Sequence, residues 1–454
     1  MNRTTWKVRE DGTFALLQGE RPILCASAHA RDDRTGTVWD TRECTLENVR
    51  RTENGLELTF LHPESVRLVE QLTVEAGYAT ARLVIRDGKQ RGLRVRSLTP
   101  LSARDSGETS PRLWRDPRTK MLLVPYDNDM WMRYEAVALH AGLRSSDVTC
   151  LFRDADEEAV LIGAMDFDVW KNAIACPGTD ARMLEARCGE DACGEDTHDA
   201  QRHGALEGME IASSRFLILS GQDARSLLEN YGRILGGMYP VRRWDQGVPF
   251  GWNCYAALGR RVNASNFRSA GDFLFDSLMP LEFQNQGTTY VNLDGGWQVF
   301  FTEDERKALR ESQHARGQKA GIYDAPFACF SRELDRELPL MEGHTYREIL
   351  LRDGEGRLLP RVDGSLPYDL THPVWQEWTR RKAERILAWG YDYLKIDFLS
   401  HGAMEGIHHD PAVKTGRQAL KVGYDLLSEL YDQKRIGRPF FLSLSIAPLF
   451  PFGT

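Results

Sequence analysis

One stretch decides the fold of this chain: Tyr391-Asp392-Tyr393-Leu394-Lys395-Ile396-Asp397-Phe398-Leu399. It has the pattern of a short buried strand, in which successive side chains point to opposite faces. Lys395 and Asp397 therefore share one face. A buried lysine stabilises the ionised form of a neighbouring carboxylate, as a carboxylate nucleophile requires. The pattern indicates either a catalytic pair or a structural ion pair at a strand end.

Around this stretch, apolar strands alternate with amphipathic helices. The pattern predicts strands over 249–253, 289–294, 319–324, 392–397 and 440–445, and helices over 266–278, 303–316, 373–389 and 414–431. Strict alternation of this kind indicates a parallel sheet, either doubly wound or a (β/α)8 barrel.

The barrel is favoured by where the polar residues fall. They follow the carboxyl ends of successive strands, where barrel active sites lie, and no glycine-rich phosphate loop follows the first strand. These strand-end residues are Asn253, Asp294, Asp324, Lys395 and Asp397. We expect a (β/α)8 (TIM) barrel over residues 236–454 of which about five strands are present, because a closed barrel requires three more units.

The first part of the chain has a different period. Short stretches of alternating apolar and polar residues, separated by turn signals, predict an N-terminal antiparallel β-sandwich over residues 1–235. The clearest strands are predicted over 56–60, 66–74, 81–85, 93–96, 159–164 and 215–220. We expect a long surface loop over 178–204, a helix over 223–233, and a domain boundary near 235–248.

Composition narrows the function classes. The net charge is −8, and no basic patch interleaved with aromatic residues indicates nucleic-acid binding. Eight scattered cysteines do not form a disulfide framework. The polar start and the lack of a long apolar run predict a cytoplasmic protein without a signal peptide or membrane partner.

Several motifs together resemble glycoside hydrolase family 36, the α-galactosidases of the melibiase clan. The resemblance covers the second half of the chain from Gly251-Trp252-Asn253 onward. It rests on Val291-Asn292-Leu293-Asp294-Gly295-Gly296-Trp297, Lys319-Ala320-Gly321-Ile322-Tyr323, Leu370-Thr371-His372-Pro373, Tyr393-Leu394-Lys395-Ile396-Asp397-Phe398, His401-Gly402-Ala403-Met404-Glu405-Gly406 and Ser443-Leu444-Ser445-Ile446-Ala447-Pro448-Leu449-Phe450-Pro451.

The resemblance implies a retaining hydrolase that cleaves terminal α-galactosyl residues through a covalent glycosyl-aspartate intermediate. It implies Asp397 as the nucleophile, Lys395 as the residue that keeps it ionised and contacts the sugar, and Asp294 as a sugar-binding carboxylate. Trp252 and Trp297 match aromatic residues that line the sugar pocket. No cofactor is implied, and the family often forms homo-oligomers.

Three further segments are predicted to contact substrate. Asp324 ends the third strand of the parallel sheet. His401 and Glu405 lie in the loop after the fourth strand, which is either a substrate loop, a solvated loop or, with His408, His409 and Asp410, a metal site. No zinc signature is met, so we expect no metal. Asp127 lies in the segment 125–134, whose acids and aromatic residues line a ligand site or form a solvated turn.

Two features depart from the family pattern. Gly295 stands where many members have a second aspartate, which leaves the sugar open between galactose and N-acetylgalactosamine. Retaining hydrolysis also requires an acid/base carboxyl group about 5–5.5 Å from the nucleophile. In the family that residue follows a segment expected beyond Thr454, so no residue is assigned. The alternatives are an α-N-acetylgalactosaminidase or an inactive, truncated carbohydrate-binding fragment.

Overall fold

The structure, a computed structural model, describes residues 4–104, 112–129, 133–154, 158–178, 183–239, 242 and 244–449. Within these residues, the first half of the chain is built from strands and the second half alternates strands with helices. None of the described helices is long and apolar enough to cross a lipid bilayer.

The described strands of the first half number nineteen. They are β1 (Thr4–Val8), β2 (Phe14–Gln18), β3 (Arg21–Asp32), β4 (Val38–Asp40), β5 (Thr45–Thr52), β6 (Gly55–Leu61), β7 (Val66–Glu75), β8 (Tyr78–Asp87), β9 (Leu93–Arg104), β10 (Lys120–Leu123), β11 (Glu135–Ala138), β12 (Arg144–Ser146), β13 (Val148–Phe152), β14 (Ala159–Ala164), β15 (Asn172–Ala175), β16 (Met183–Gly189), β17 (Leu206–Gly208), β18 (Glu210–Ala212) and β19 (Phe216–Gly221).

These strands form two antiparallel sheets. The first has nine strands in the order β1-β2-β3-β9-β16-β15-β12, with β4 and β17 attached, and the second has ten in the order β11-β10-β13-β14-β19-β8-β7-β6-β5, with β18 attached. Alternation explains the packing, since Leu58 and Phe60 of β6 are fully buried between half-buried neighbours. Both sheets contribute side chains to one hydrophobic core, as a sandwich requires.

All six strands predicted most clearly for this half are confirmed. Five of them agree within three residues at each end, whereas β9 continues eight residues beyond its predicted end at Arg96. The predicted surface loop over 178–204 is wrong, because β16 pairs with both β15 and β9 inside the first sheet. Leu184, Ala186 and Cys188 supply the buried face of β16. Their alternation is hidden in the sequence by the surrounding acids and glycines.

One helix, α1 (Ala224–Met238), packs on the second sheet and is about one turn longer than predicted. Asp223 caps its first turn by accepting hydrogen bonds from the backbone N–H groups of Arg225 and Ser226. Tyr231 then donates a hydrogen bond to the Ala164 carbonyl at 2.6 Å. The glycine pair 236–237, which sequence analysis places at a domain boundary, lies inside this helix.

The second half supplies the remaining described elements. Its strands are β20 (Gly251–Asn253), β21 (Tyr290–Leu293), β22 (Lys319–Asp324), β23 (Ala328–Cys329), β24 (Glu337–Leu338), β25 (Met341–Thr345), β26 (Leu366–Pro367), β27 (Tyr393–Ile396) and β28 (Phe441–Leu444). Its helices are α2 (Cys254–Leu258), α3 (Ala264–Phe273), α4 (Trp297–Phe300), α5 (Glu303–Ala315), α6 (Pro373–Ala388), α7 (Gly416–Leu430) and α8 (Gln433–Ile436).

Five of these strands form a curled parallel sheet in the order β20-β21-β22-β27-β28. The sequence prediction of these five strands and of the four long helices between them is confirmed. The helix predicted over 266–278 differs in one respect: α3 ends at Phe273, and the chain continues as a π-helical turn over Leu274–Leu278. Pro373 begins α6 and His372 caps it, so the predicted start of this helix is correct.

The two faces of the parallel sheet differ in composition. Leu293, Ile322 and Leu394 are buried and pack against the helices. Tyr323 and Lys395 directly follow Ile322 and Leu394 in the chain, so they point to the opposite face. They are register partners on the adjacent strands β22 and β27. The polar side chains of the second half therefore collect on one side of the sheet, at the carboxyl ends of its strands.

Candidate active site

Three ionisable side chains meet at the carboxyl ends of neighbouring strands. Asp294 directly follows β21, Lys395 lies in β27, and Asp397 directly follows β27. The Lys395 Nζ atom lies 3.0 Å from Asp294 Oδ2 and 3.2 Å from Asp397 Oδ2. The structure thus brings together two carboxylates that are far apart in sequence around a single ammonium group.

The cluster is largely withdrawn from water. Asp294 is 2% exposed and Asp397 is 7% exposed, and Lys395 is half-buried. Burial alone would lower the pKa of Lys395, but the charges of Asp294 and Asp397 outweigh burial and raise it. Lys395 therefore stays protonated at neutral pH, and its charge is shared by two anionic side chains.

Each carboxylate is also held by uncharged donors. Asp294 accepts hydrogen bonds from Asn253 Nδ2 and from the Gly295 backbone N–H, each at 2.6 Å. Asp397 accepts one from the Phe398 backbone N–H at 3.0 Å. Phe398 has a φ of 57°, an uncommon left-handed conformation for a bulky residue, and it turns the chain away from the strand at this point. These contacts fix the orientation of both carboxylates.

Tyr323 completes the cluster, although sequence analysis assigns it no role. Its ring centroid lies 5.4 Å from Lys395 Nζ, within the range of a cation–π contact. Burial, together with the nearby carboxylates, raises the pKa of Tyr323 far above its usual value, so the phenol is neutral. Tyr323 could have been found from strand alternation, since it shares a sheet face with Lys395.

Neither predicted pocket tryptophan lies in this cluster. Trp252 precedes Asn253 in β20 and so points to the other face, where its ring contacts Phe267 of α3. Trp297 lies beyond the turn that follows Asp294. Its indole donates a hydrogen bond to the Tyr323 carbonyl at 2.8 Å, and its ring packs edge-on against Trp389. Both rings pack between the sheet and the helices, and their predicted place in a sugar pocket stays a prediction.

The predicted substrate contact Asp324 also points away from the cluster. It follows Tyr323 in β22 and therefore lies on the opposite face. Its carboxylate accepts a hydrogen bond from Lys382 Nζ of α6 at 3.0 Å. Asp324 therefore joins the end of β22 to α6, and its role as a substrate contact stays a prediction.

The loop after β27 places its polar residues in separate environments. His401 is buried, and its Nε2 atom lies 2.8 Å from Ser365 Oγ. Burial lowers the pKa of His401, so the imidazole is neutral at pH 7. His408 lies 3.5 Å from Asp369. Among the described residues no group of three or more His, Cys, Asp and Glu side chains is placed to hold a metal ion.

Glu405 belongs to a buried ion cluster. Its Oε1 atom lies 3.1 Å from Lys171 Nζ, and its Oε2 atom accepts backbone hydrogen bonds from Gly204 and Gly416. Burial alone would raise the pKa of Glu405, but its cationic neighbours and these two N–H donors lower it to about 2. Glu405 connects the first half of the chain to the loop after Asp397. The prediction that Glu405 contacts substrate, like that for His401, stays a prediction.

Asp127 is brought to the loops at the carboxyl ends of β27 and β28. It forms an isolated bridge with Pro448 and lies beside Ser400. Next to it, the Asn128 backbone N–H donates to the Ala447 carbonyl at 3.0 Å. Burial raises the pKa of Asp127. Residues 130–132 of the same predicted segment lie outside the described residues.

Several solved structures share the fold of this chain, although its sequence alone finds no match. No family model matches the sequence, and no curated protein matches it. The α-galactosidase of Thermus thermophilus, solved with p-nitrophenyl α-D-galactopyranoside, has a TM-score of 0.52 and 18% identity, covering 88% of this chain and 71% of its own. An α-galactosidase of glycoside hydrolase family 36 from Geobacillus stearothermophilus has a TM-score of 0.56 and 13% identity, covering 92% of this chain and 61% of its own.

The chain has the fold of glycoside hydrolase family 36. A third structure extends the likeness over nearly all of it: the α-N-acetylgalactosaminidase of Bifidobacterium bifidum has a TM-score of 0.62 and 11% identity, covering 97% of this chain and 74% of its own. The chain thus spans 61–74% of the length of these three proteins. At identities this low, the structural likeness establishes a shared fold alone. The roles of individual residues must be argued from the site itself.

Proposed function

We propose that this chain carries the nucleophile of a retaining glycoside hydrolase that removes terminal α-galactosyl residues from oligosaccharides or glycoconjugates. The proposal is carried by one observation: a single ammonium group, Lys395 Nζ, lies within 3.2 Å of two buried carboxylates at the carboxyl end of a parallel sheet. It is supported by the fold, which α-galactosidases solved with galactosides share.

The proposal also divides the chain into two domains. Residues 1–235 would form a β-sandwich domain, and residues 236–454 would form the part of a (β/α)8 barrel that carries the nucleophile. The five parallel strands with their helices support the second assignment, because barrel enzymes place their chemistry at the carboxyl ends of the strands. A cytoplasmic location and a homo-oligomeric assembly stay predictions from the sequence.

Asp397 is the nucleophile in this proposal. One of its carboxylate oxygens attacks the anomeric carbon, the bond from that carbon to the leaving oxygen breaks, and the leaving oxygen keeps the electron pair. Water then attacks the same carbon, and its departing proton is taken by a base as Asp397 is released as a carboxylate. Lys395 stabilises that carboxylate before and after the covalent intermediate.

Asp294 serves as an acceptor for sugar hydroxyls. Its orientation is fixed by Asn253 and Lys395, so a hydroxyl group can be recognised without reorganisation of the side chain. Asp127, which lies beside the loops that follow β27 and β28, is a further candidate sugar contact. The proton for a poor leaving group requires a second carboxyl group, and we assign that role to none of the described residues.

A second candidate function is the removal of terminal N-acetylgalactosamine. The α-N-acetylgalactosaminidase of Bifidobacterium bifidum covers more of this chain, at a higher TM-score, than the two α-galactosidases described above. Gly295 supports the same candidate, since a glycine beside Asp294 leaves space where a larger side chain would occupy the region facing Tyr323. Galactose remains the first candidate.

Two chromogenic substrates test the proposal. We expect release of p-nitrophenol from the α-galactoside or the α-N-acetylgalactosaminide, and loss of release in Asp397→Asn by at least about a thousandfold, as for removal of a covalent nucleophile. Asp425→Asn, on the exposed face of α7, is the matched control and should keep full activity. Equal activity of Asp397→Asn and the wild type would refute the assignment.

A further inference from the structure

A second concave site lies among the helices, apart from the carboxylate cluster. It is a cleft of about 240 Å3 between α5 and the chain segment that runs from the end of α6 to β27. Its lining is Glu303, Arg306, Lys307, Arg310, Ala388, Trp389 and Tyr391. Four of these residues belong to α5. Arg306 and Lys307 lie three and four positions after Glu303, and Arg310 lies one further turn along, so all four share one face of the helix.

Arg306 is the central cation of this cleft, and it forms no ion pair within 4.0 Å among the described residues, although Glu303 of the same helix turn contributes a negative charge nearby. Its guanidinium carbon lies 4.5 Å from the ring of Trp297 and 4.5 Å from the ring of Trp389. Its Nε donates to the Thr302 carbonyl at 3.3 Å, while its buried Nη1 has no hydrogen-bond partner among the described residues. Arg306 is half-buried, and an anion in the cleft would supply the acceptor that its Nη1 atom lacks among the described residues.

The other two cations of the cleft are also incompletely neutralised. Lys307 is exposed and forms no ion pair within the described ranges. Arg310 pairs with Glu311 at 3.1 Å, and the Glu311 side chain is 55% exposed, so this pair is weak. The one acid of the lining, Glu303, is engaged by Arg385 of α6 at 3.2 Å. The cleft therefore has an excess of positive charge.

We propose that this cleft binds a phosphate group. Arginine guanidinium groups match the geometry of phosphate oxygens, and a lysine adds a mobile point charge. Beside the cations, Trp389 and the buried Tyr391 offer apolar ring surface to an organic group attached to the phosphate. The occupant is either free inorganic phosphate or a small phosphorylated molecule, and this site does not depend on the glycosidase proposal.

Calorimetric titration of the full chain distinguishes these occupants. Inorganic phosphate and phenyl phosphate are titrated separately, at constant ionic strength set with sodium chloride. Saturable binding of one equivalent of either supports the site. Tighter binding of phenyl phosphate assigns it to a phosphorylated molecule that uses the rings, and equal or weaker binding assigns it to free phosphate.

Substitutions locate the bound phosphate. Lys307→Gln changes an exposed side chain and leaves the fold intact, so we expect about a tenfold weaker affinity from the loss of one charge-assisted hydrogen bond. Lys307→Gln combined with Arg310→Gln should abolish measurable binding. Lys89→Gln, an exposed lysine in the first half of the chain, is the control and should bind like the wild type. Absence of saturable binding of both ligands, or equal loss in Lys89→Gln, would overturn the proposal.

Discussion

Lys171 Nζ and Glu405 Oε1 are 3.1 Å apart, and both side chains are 1% exposed. Lys171 precedes β15 of the first antiparallel sheet, whereas Glu405 follows the turn that leads away from Asp397. Asp199 adds a second carboxylate 2.6 Å from the same ammonium group. The loop that follows the candidate nucleophile is thus held by an ion cluster. The first half of the chain contributes Lys171 and Asp199 to this cluster, and the loop contributes Glu405.

Lys171→Met tests this connection. Removing the ammonium takes the lysine from two buried carboxylates and leaves Glu405, among the described residues, with only His203 as a cationic neighbour, 3.7 Å away, which costs about 3–5 kcal/mol of unfolding free energy. Urea denaturation followed by circular dichroism measures the difference. Lys120→Met is the matched control, because the Lys120–Asp154 pair is 37% and 69% exposed and should contribute at most about 1 kcal/mol. Similar losses in the two variants would contradict the account.

Glu70 predicts a pH dependence of stability. Glu70 lies in β7 between its register partners Leu58 and Leu83, and its carboxyl group is fully buried. Neither of its oxygens has a hydrogen-bond partner in the part of the chain that the structure describes. Burial raises the pKa of Glu70 well above its ordinary value, so the folded state keeps a proton that the unfolded chain releases above about pH 4.3. Stability contributed by this group is therefore present below pH 4.3 and is lost as pH rises.

Glu70→Leu removes that dependence. We expect the variant to gain stability over the wild type by up to about 1.4 kcal/mol for each pH unit above 4.3, until the pKa of Glu70 in the folded state is reached. Chemical denaturation at several values between pH 5 and pH 8 measures this. Glu75→Leu, at the half-buried end of the same strand, should show no such trend. A pH-independent difference for Glu70→Leu would contradict the prediction.

Lys395→Met tests the shared ammonium. Without it, Asp294 and Asp397 face each other as like charges, and the carboxylate released by hydrolysis loses its stabilising partner. We expect kcat to fall by at least about a hundredfold, a typical effect of removing one preorganised electrostatic contact. Lys395→Arg should recover part of the activity because it keeps the charge. A change confined to KM would mean that Lys395 only binds substrate.

The five strands of the parallel sheet and the four long helices between them could be predicted, because apolar strands alternate there with long amphipathic helices of period 3.6. Short strands of the first half, such as β12 (Arg144–Ser146) and β17 (Leu206–Gly208), could not be, since three residues carry too little alternation. β16 could not be predicted for another reason: Leu184 is its one large apolar buried residue, and its other buried residues are small or charged.

The site could be predicted in part. Asp294, Lys395 and Asp397 converge as expected because parallel strands align their carboxyl ends at one edge of the sheet. Asp324 does not join this cluster, because Tyr323 takes the face shared with Lys395 and Asp324 the opposite face. Trp252 lies outside the cluster for the same reason, since Asn253 takes that face. Sequence alone could not show that Glu405 faces Lys171, because that contact joins residues 234 positions apart through tertiary packing.

The central claim is that Asp397 forms a covalent bond to the sugar. The most direct test is incubation with 5-fluoro-α-galactosyl fluoride, followed by proteolysis and mass spectrometry of the labelled peptide. Fluoride leaves without a proton, so trapping does not require an acid/base residue, and the second fluorine slows hydrolysis of the intermediate. The account predicts one galactosyl label on Asp397 and none in Asp397→Asn. Labelling of another residue, or none in the folded wild-type chain, would contradict it.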